Sequence, residues 1–434
     1  MTDTNGETPS ALGDVRVLDL AGEIGQYCTK LLADLGADVI KVESPGGDPV
    51  RALPPFLHDD PGAQRSLYWL NLNTNKRSVT LDLDHPEGRK LFERLAATAD
   101  VVVESFQPGF LDSLGLGYAG LCRLKPDIIL TSITGFGQTG PHARYQSPDI
   151  VGVAMGGIMW LAGEPTDPPN VPPWRQGYIS ASIMGAAGTL TALVGRDLQG
   201  LGGQHVDVSM QETLSIAQET AMQSWNMIDA LRTRTGSRGI IPIDVPGIGI
   251  YECTDGHVFG YLGTPGGAPW TTMLDWMVEE DSAEDLAEEP YKTFIQNLNL
   301  RFLTGLLQDP STIGAKIQTM AHIAEILRRF VAGKGKWEMY EGGQGRRLLW
   351  GIVSTPQDIA ENPQLKHRNW LTPVQHPELN ETLVYPGPPY RLSETPWVVR
   401  RRPPLVGEHN SEIFGGELGV TPGQWRDLEA QGVV

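Results

Sequence analysis

The chain has little cysteine: three residues in 434, Cys28, Cys122 and Cys253. They are widely spaced, odd in number and form no C-x-x-C pair, so neither a disulfide framework nor a structural zinc site follows. A reducing, cytoplasmic compartment is the expectation. Long apolar runs are missing as well. The longest nearly apolar stretch, Ile150 to Gly163, has about 14 residues against the ~20 of a membrane span, and reads as a buried core segment. Basic charge is scarce, with 34 lysines and arginines against 52 acidic residues for a net charge of −18. That field repels nucleic acid and anionic membranes, so neither is expected as a partner, and any polyanionic ligand has to be caught locally. The opening MTDTNGETPS has no basic n-region or apolar h-region, and residues 1–13 read as a disordered lead-in. P-loop, H-E-x-x-H and G-x-S-x-G patterns are absent, and the nine histidines show no ligand spacing, so no metal is expected.

What is present is a length suited to two or three domains and an ordinary globular composition, 40% hydrophobic and 20% charged. Val15–Leu20 reads as a strand, Cys28, Leu31, Leu32 and Leu35 recur at helical spacing, and Gly36 stands at a helix C-cap before the strand Val39–Val42. The rhythm returns with a strand at Ser78–Leu83, a helix over HPEGRKLFERLAATA and a strand DVVVES. A helix over Asp112–Leu124 and a strand at Asp127–Thr134 follow. Strands alternating with helices imply an α/β fold with a parallel sheet. The run ASIMGAAGTLTALVG reads as a helix whose small residues bring its backbone close to a neighbour, followed by a strand HVDVSM and a helix QETLSIAQETAMQSW. Beyond about Thr233 the texture shifts to glycine, proline and short antiparallel strands, then helices at Ala268–Val278 and Pro290–Leu307. From Trp350 the chain is proline-rich.

The turn LAGEIGQY lacks the third glycine of a dinucleotide fingerprint. NLNTNKRSVTLDL gathers backbone amides, amide side chains and two cations before a strand, which suits either a local phosphate trap or a solvated loop. ESFQPG and TGFGQTG lie at strand carboxyl ends, where α/β sheets bind ligands. Phe106 there suits stacking on a flat ring or packing against the next helix.

Seven segments in order, VRVLDLAGEIGQYCTKLLADLGADVIKVESPGGDPVR, LNTNKRSVTLDL, ADVVVESFQPGFLDSLG, SITGFGQTGP, PDIVGVAMGGIMWLAGEP, GGQHVDVSMQETL and PPLVGEHN, together resemble the class III CoA-transferase family, which includes the α-methylacyl-CoA racemases. The resemblance implies a doubly wound, Rossmann-like large domain, residues 14–225 with a returning segment 350–434, and an inserted smaller α+β domain, residues 233–345. It also implies two chains interlocked like linked rings. Coenzyme A or acyl-CoA is then a substrate, with no permanently bound cofactor, and a carboxylic acid is the second reactant. By motif match the CoA contacts are Asn73, Thr74, Asn75, Lys76, Ser105, Phe106, Gln107, Thr134 and Gly135. Ser105 stands where the family commonly has asparagine, and Ser113 where an arginine can sit near the phosphates.

The family's transferases attack the donor thioester with one aspartate to form a mixed anhydride. The released CoA thiolate then makes an aspartyl thioester, from which the acceptor carboxylate collects CoA. In this chain the matching position, after Gly177, is Tyr178. The racemases pair that aspartate with a histidine, and here the histidine position is Pro148, with Asp149 beside it. A phenol with an ordinary pKa of ~10 does not replace a carboxylate nucleophile. Tyr178 suits either a ring filling the acyl pocket or a general acid, and with Trp160 and Trp174 it points to a bulky acyl group. Three readings follow: the aspartate-free subunit of a heteromeric CoA-transferase, paired with an aspartate-bearing chain; an acyl-CoA enzyme of altered chemistry; or a non-catalytic CoA-binding protein.

Overall fold

Val17 and Leu18 are adjacent and fully buried, yet they serve opposite faces of one sheet. Val17 packs with Cys28, Leu32, Val101 and Val103; Leu18 packs with Phe92, Leu95 and Val102. Strands covered on both sides carry continuous apolar runs, which is why VRVLDL and DVVVE read so plainly. The computed structural model describes residues 9–62, 64–238, 244–308 and 313–434. Its main sheet has six parallel strands: β1 Arg16–Leu20, β2 Asp38–Glu43, β3 Arg77–Thr80, β4 Val101–Glu104, β5 Ile129–Thr134 and β6 His205–Ser209. Their order is β3-β2-β1-β4-β5-β6, the doubly wound arrangement, with its switch point between β1 and β4.

The chain divides into two units, residues up to 159 with 171–231 and 364–434, and residues 160–170 with 232–363. In the first, Ile413, Phe414, Val420, Leu428 and Val433 fill the same core face as Leu18 and Phe92. Asn75, at φ +64, holds this return in place: its Oδ1 accepts from Arg401 N (2.9 Å) and its Nδ2 donates to Val398 O (2.8 Å). A hairpin of β10 Leu371–His376 and β11 Glu381–Pro386 belongs to this unit, whereas the second unit builds an antiparallel sheet from β7 Ile248–Cys253, β8 Gly256–Tyr261 and β9 Trp350–Ile352. Helices of that unit pack Trp270, Met273, Trp276 and Phe330 against Val258 and Trp350, an α+β layering.

Helix Gln176–Gln199 sits on the first unit's sheet without room for a methyl group at Gly185. A Cβ there would lie 2.5 Å from Ile133 Cδ1 and 3.4 Å from Cys28 Sγ. By length and composition this helix alone among the described residues could cross a membrane, with 44% of its apolar window buried in the protein. Its outward side exposes Ile183, Met184, Val194 and Leu198.

Four expected elements differ from the structure. The helix over Asp112–Leu124 is two short ones, Phe110–Ser113 and Tyr118–Leu124, because Gly115 turns the chain at φ +74. The helix over 211–225 is also two, Met210–Ile216 and Ala221–Ile228, with Glu219 at φ +53 between them. Pro290–Leu307 breaks in the same way into Tyr291–Asn297 and Leu300–Gln308. The run Ile150–Gly163 is not a buried segment: it forms helices Asp149–Met155 and Ile158–Leu161, with Ile150, Met155 and Trp160 exposed. Residues 1–8 of the lead-in and 239–243 of the glycine-rich stretch lie outside the described residues, and by Leu12 the chain is already tied in, its amide donating to Leu35 O at 3.1 Å.

Candidate active site

Two cavities open at the carboxyl ends of the strands. The first, about 440 Å³, lies beyond β1, β2, β3 and β4, with Leu20, Val42, Leu81, Phe106 and Phe110 among its walls. The second, about 410 Å³, lies beyond β4 and β5 and is bordered by Ser105, Phe106, Gln107, Thr134, Gly135 and Tyr178, with Pro148 and Tyr145 nearby. Ser105 and Phe106 line both. Across the switch point Gly22 N donates to Ser105 Oγ at 2.8 Å, joining the β1 and β4 loops. The Phe106 ring rests 4.6 Å from that of Phe110, tilted by 43°, so packing against the next helix and facing the cavities coexist.

Of the nine residues matched by motif, five therefore meet around the second cavity. The other four, Asn73, Thr74, Asn75 and Lys76, line neither cavity. Asn73, Thr74 and Lys76 have no exposed surface. Lys76 Nζ reaches Asp19 Oδ2 (2.9 Å), Asn73 Oδ1 (2.9 Å) and Gln26 O (3.0 Å), which saturates its three donors. Thr74 Oγ1 accepts from Lys30 Nζ, and Arg77 is held by Asp38, Glu412 and Glu417. Neither the phosphate trap nor the solvated loop that N-T-N-K-R suits is formed: the segment is an internal polar network. Composition shows cations but not the carboxylates that fold onto them.

The single cation on either cavity wall, among the described residues, is Lys41, and it too is paired, at 3.0 Å from Asp48 and 3.6 Å from Asp19, while its Nζ donates to Ala21 O. Glu23, Glu43, Asp48, Asp82 and Asp84 share the first cavity's wall. Ser113, at the position where an arginine can sit, is exposed and turns its hydroxyl back to Phe110 O (2.6 Å).

Around Tyr178 the second cavity has neither a carboxylate nor a cation among its described lining residues. Asp149 stands close, but its Oδ1 accepts Tyr178 N at 2.8 Å, and the Gly177 amide joins it, so it caps the N-terminus of helix Gln176–Gln199. Burial raises the Asp149 carboxyl from its ordinary value despite these amides. Burial, assisted by the Asp149 charge, also raises the Tyr178 phenol, which stays neutral at physiological pH. The Tyr68 hydroxyl, close enough to feel the Asp149 charge, is buried with no hydrogen-bond partner among the described residues, and Arg175 lies 5.4 Å over its ring while pairing with Glu23. Thr134 Oγ1, on the cavity wall, is likewise buried and unpartnered.

Trp174 is 72% exposed and lines neither cavity, and Trp160 belongs to the second unit, where its Nε1 donates to Arg232 O at 2.8 Å. Of the three aromatics expected at an acyl pocket, Tyr178 alone is on a cavity wall. One residue that sequence reading passed over is Glu104, the last residue of β4, buried at the switch point with its Oε2 2.6 Å from Phe106 N. A charged residue closing an all-valine strand was the available signal.

Comparison with known proteins converges on one family. The model of CoA-transferase family III matches residues 12–410. The chain is 35% identical over 405 residues, 92% of each chain, to the succinyl-CoA:(R)-benzylsuccinate CoA-transferase subunit BbsE of Thauera aromatica. It is 35% identical over 428 residues, 98% of each chain, to the succinyl-CoA–D-citramalate CoA-transferase of Chloroflexus aurantiacus. Among solved structures, a CAIB/BAIF family protein from Brucella suis superposes with a TM-score of 0.79 at 27% identity, over 94% of this chain and all of that one.

Proposed function

The chain belongs to CoA-transferase family III, and on that footing we propose that it is the subunit without a nucleophile in a heteromeric CoA-transferase, acting with a partner chain of the same fold that carries the aspartate. The transfer runs from an acyl-CoA such as succinyl-CoA to a carboxylic acid. The observation that carries this reading is the second cavity: its backbone loops and aromatic wall are in place, yet no described residue on it offers a carboxylate. Asp149 is engaged by two backbone amides, and Tyr178 is a neutral phenol, so neither stands ready to form an anhydride. The kinship to a relative named as a subunit supports the same assignment.

Ser105, Phe106, Gln107, Thr134 and Gly135 are the proposed contacts to coenzyme A, with Asn73–Lys76 supporting the loops from beneath. The cations that grip the CoA phosphates are then supplied from outside the described lining, since Lys41 is already neutralised. Pairing as interlocked rings, with an identical or an aspartate-bearing chain, is consistent with the apolar side of helix Gln176–Gln199. The chain is purified alone and co-expressed with an aspartate-bearing family member, and CoA exchange from succinyl-CoA to a panel of carboxylic acids is assayed. Activity confined to the pair is expected; exchange at enzymatic rates by the single chain overturns the assignment.

A further inference from the structure

Three neighbouring strands each place one polar residue in a line that ends at the backbone of Phe106. Glu104 of β4 is 5% exposed and accepts the Phe106 amide at 2.6 Å. Ser132, its cross-strand neighbour on β5, donates to the same carboxylate. Ser132 Oγ also meets Nε2 of His205, on β6, at 2.9 Å, and His205 is stacked on Tyr118 with ring centroids 5.8 Å apart.

Among the described residues no cation pairs with this carboxylate. The charges that bear on it are Asp112, on helix Phe110–Ser113, and Asp207, on β6, and both are acidic. Burial lowers the basicity of His205, so it stands across Ser132 as a neutral ring. A lone buried carboxylate costs stability, and strand ends beside a cavity are where such a cost is retained for function. Burial pushes Glu104 up to about 7.

The geometry points to Glu104 as a positioning residue for the CoA site proposed above: its carboxylate fixes the Phe106 amide, and through it the ring that borders both cavities, without itself lining either. A charge-assisted N–H···O bond is roughly twice as strong as a neutral one, so the loop is held firmly when Glu104 is ionised and loosens when it takes a proton. The group is an acid with a raised folded-state pKa. The folded protein therefore binds a proton that the unfolded chain releases, and folding stability rises as pH falls from about 7 towards the ordinary glutamate value. Affinity for CoA moves the other way and weakens over that interval. Opposite slopes for stability and binding separate positioning from a purely structural role.

CoA binding by the full chain, in its assembly, is measured by calorimetry from about pH 8 to about pH 6, wild type against Glu104→Gln. The variant cancels the titration of CoA's own phosphate. Wild type should lose about three- to tenfold more affinity than the variant over this range. Hydrogen exchange of residues 105–110 without CoA, corrected for intrinsic rates, should show protection falling towards low pH in wild type only. Ser132→Ala, which removes a hydrogen bond to the carboxylate and keeps the acid, should move the midpoint upward and serves where Glu104→Gln does not fold. Identical pH profiles in wild type and variants, for exchange and affinity alike, overturn the role of Glu104. A loop that titrates in a protein that never binds CoA upholds it and overturns the CoA reading instead.

Discussion

The amide of Tyr178 donates to Asp149 Oδ1 at 2.8 Å, so the carboxylate nearest the family's nucleophile position is committed to starting a helix. Asp149→Ala leaves two helix-end amides without this acceptor and should cost about 0.5–2 kcal/mol in denaturant unfolding, as lost helix caps do. Asp149→Asn, which keeps an acceptor oxygen, should recover most of it. An alanine variant as stable as wild type would show that water replaces the cap at no cost.

Tyr178→Asp places a carboxylate on the wall of the second cavity. Incubated with succinyl-CoA, this variant should acquire a CoA thioester on residue 178 that hydroxylamine cleaves and mass spectrometry locates, whereas wild type acquires none. A folded variant that binds CoA and never forms the adduct would mean that more than the nucleophile is missing.

Gly185 is pressed against Ile133. Gly185→Ala should destabilise the first unit by about 1–3 kcal/mol through overpacking. Ile133→Val in the same chain should return part of that loss, because the two positions share one contact and their effects do not add. Strict additivity in a double-mutant cycle would place the strain elsewhere.

Lys76 has no free face. Lys76→Met should cost about 3–5 kcal/mol, the usual result of stripping one partner from a buried ion pair. CoA affinity of the folded protein should stay near that of wild type, with an unchanged salt dependence. A large loss of affinity at full folding, with a shallower salt slope, would restore Lys76 as a phosphate ligand.

The βαβ rhythm was legible because strands buried on both faces and helices buried on one leave different periodicities. Helix breaks at Glu219 and near Leu298 were not, since a glutamate in the left-handed region carries no propensity signal. The excursion of residues 160–170 into the second unit marks no change of composition either. At the site, ESFQPG and TGFGQTG could be placed by their position after strands. N-T-N-K-R suited either a phosphate trap or a solvated loop and is neither, because Lys76's partner, Asp19, is 57 residues away in sequence, and pairing across that distance is fixed only by the sheet. Tyr178 drew notice through resemblance alone; its burial beside Asp149 is a product of two helix ends meeting.

The return of residues 413–433 to the face built by β1–β4 has a consequence for how the protein is made. Leu18, Phe92 and Leu95 are synthesised roughly 320 to 400 residues ahead of the side chains that complete their cover, which at ~5–20 residues per second is a delay of roughly 15–80 s on the ribosome. Through that interval this side of the nascent sheet is only partly covered, by the helix that carries Phe92 and Leu95. Chaperone engagement should be concentrated there, and a released chain truncated before Ile413 should be aggregation-prone where the released full chain is not.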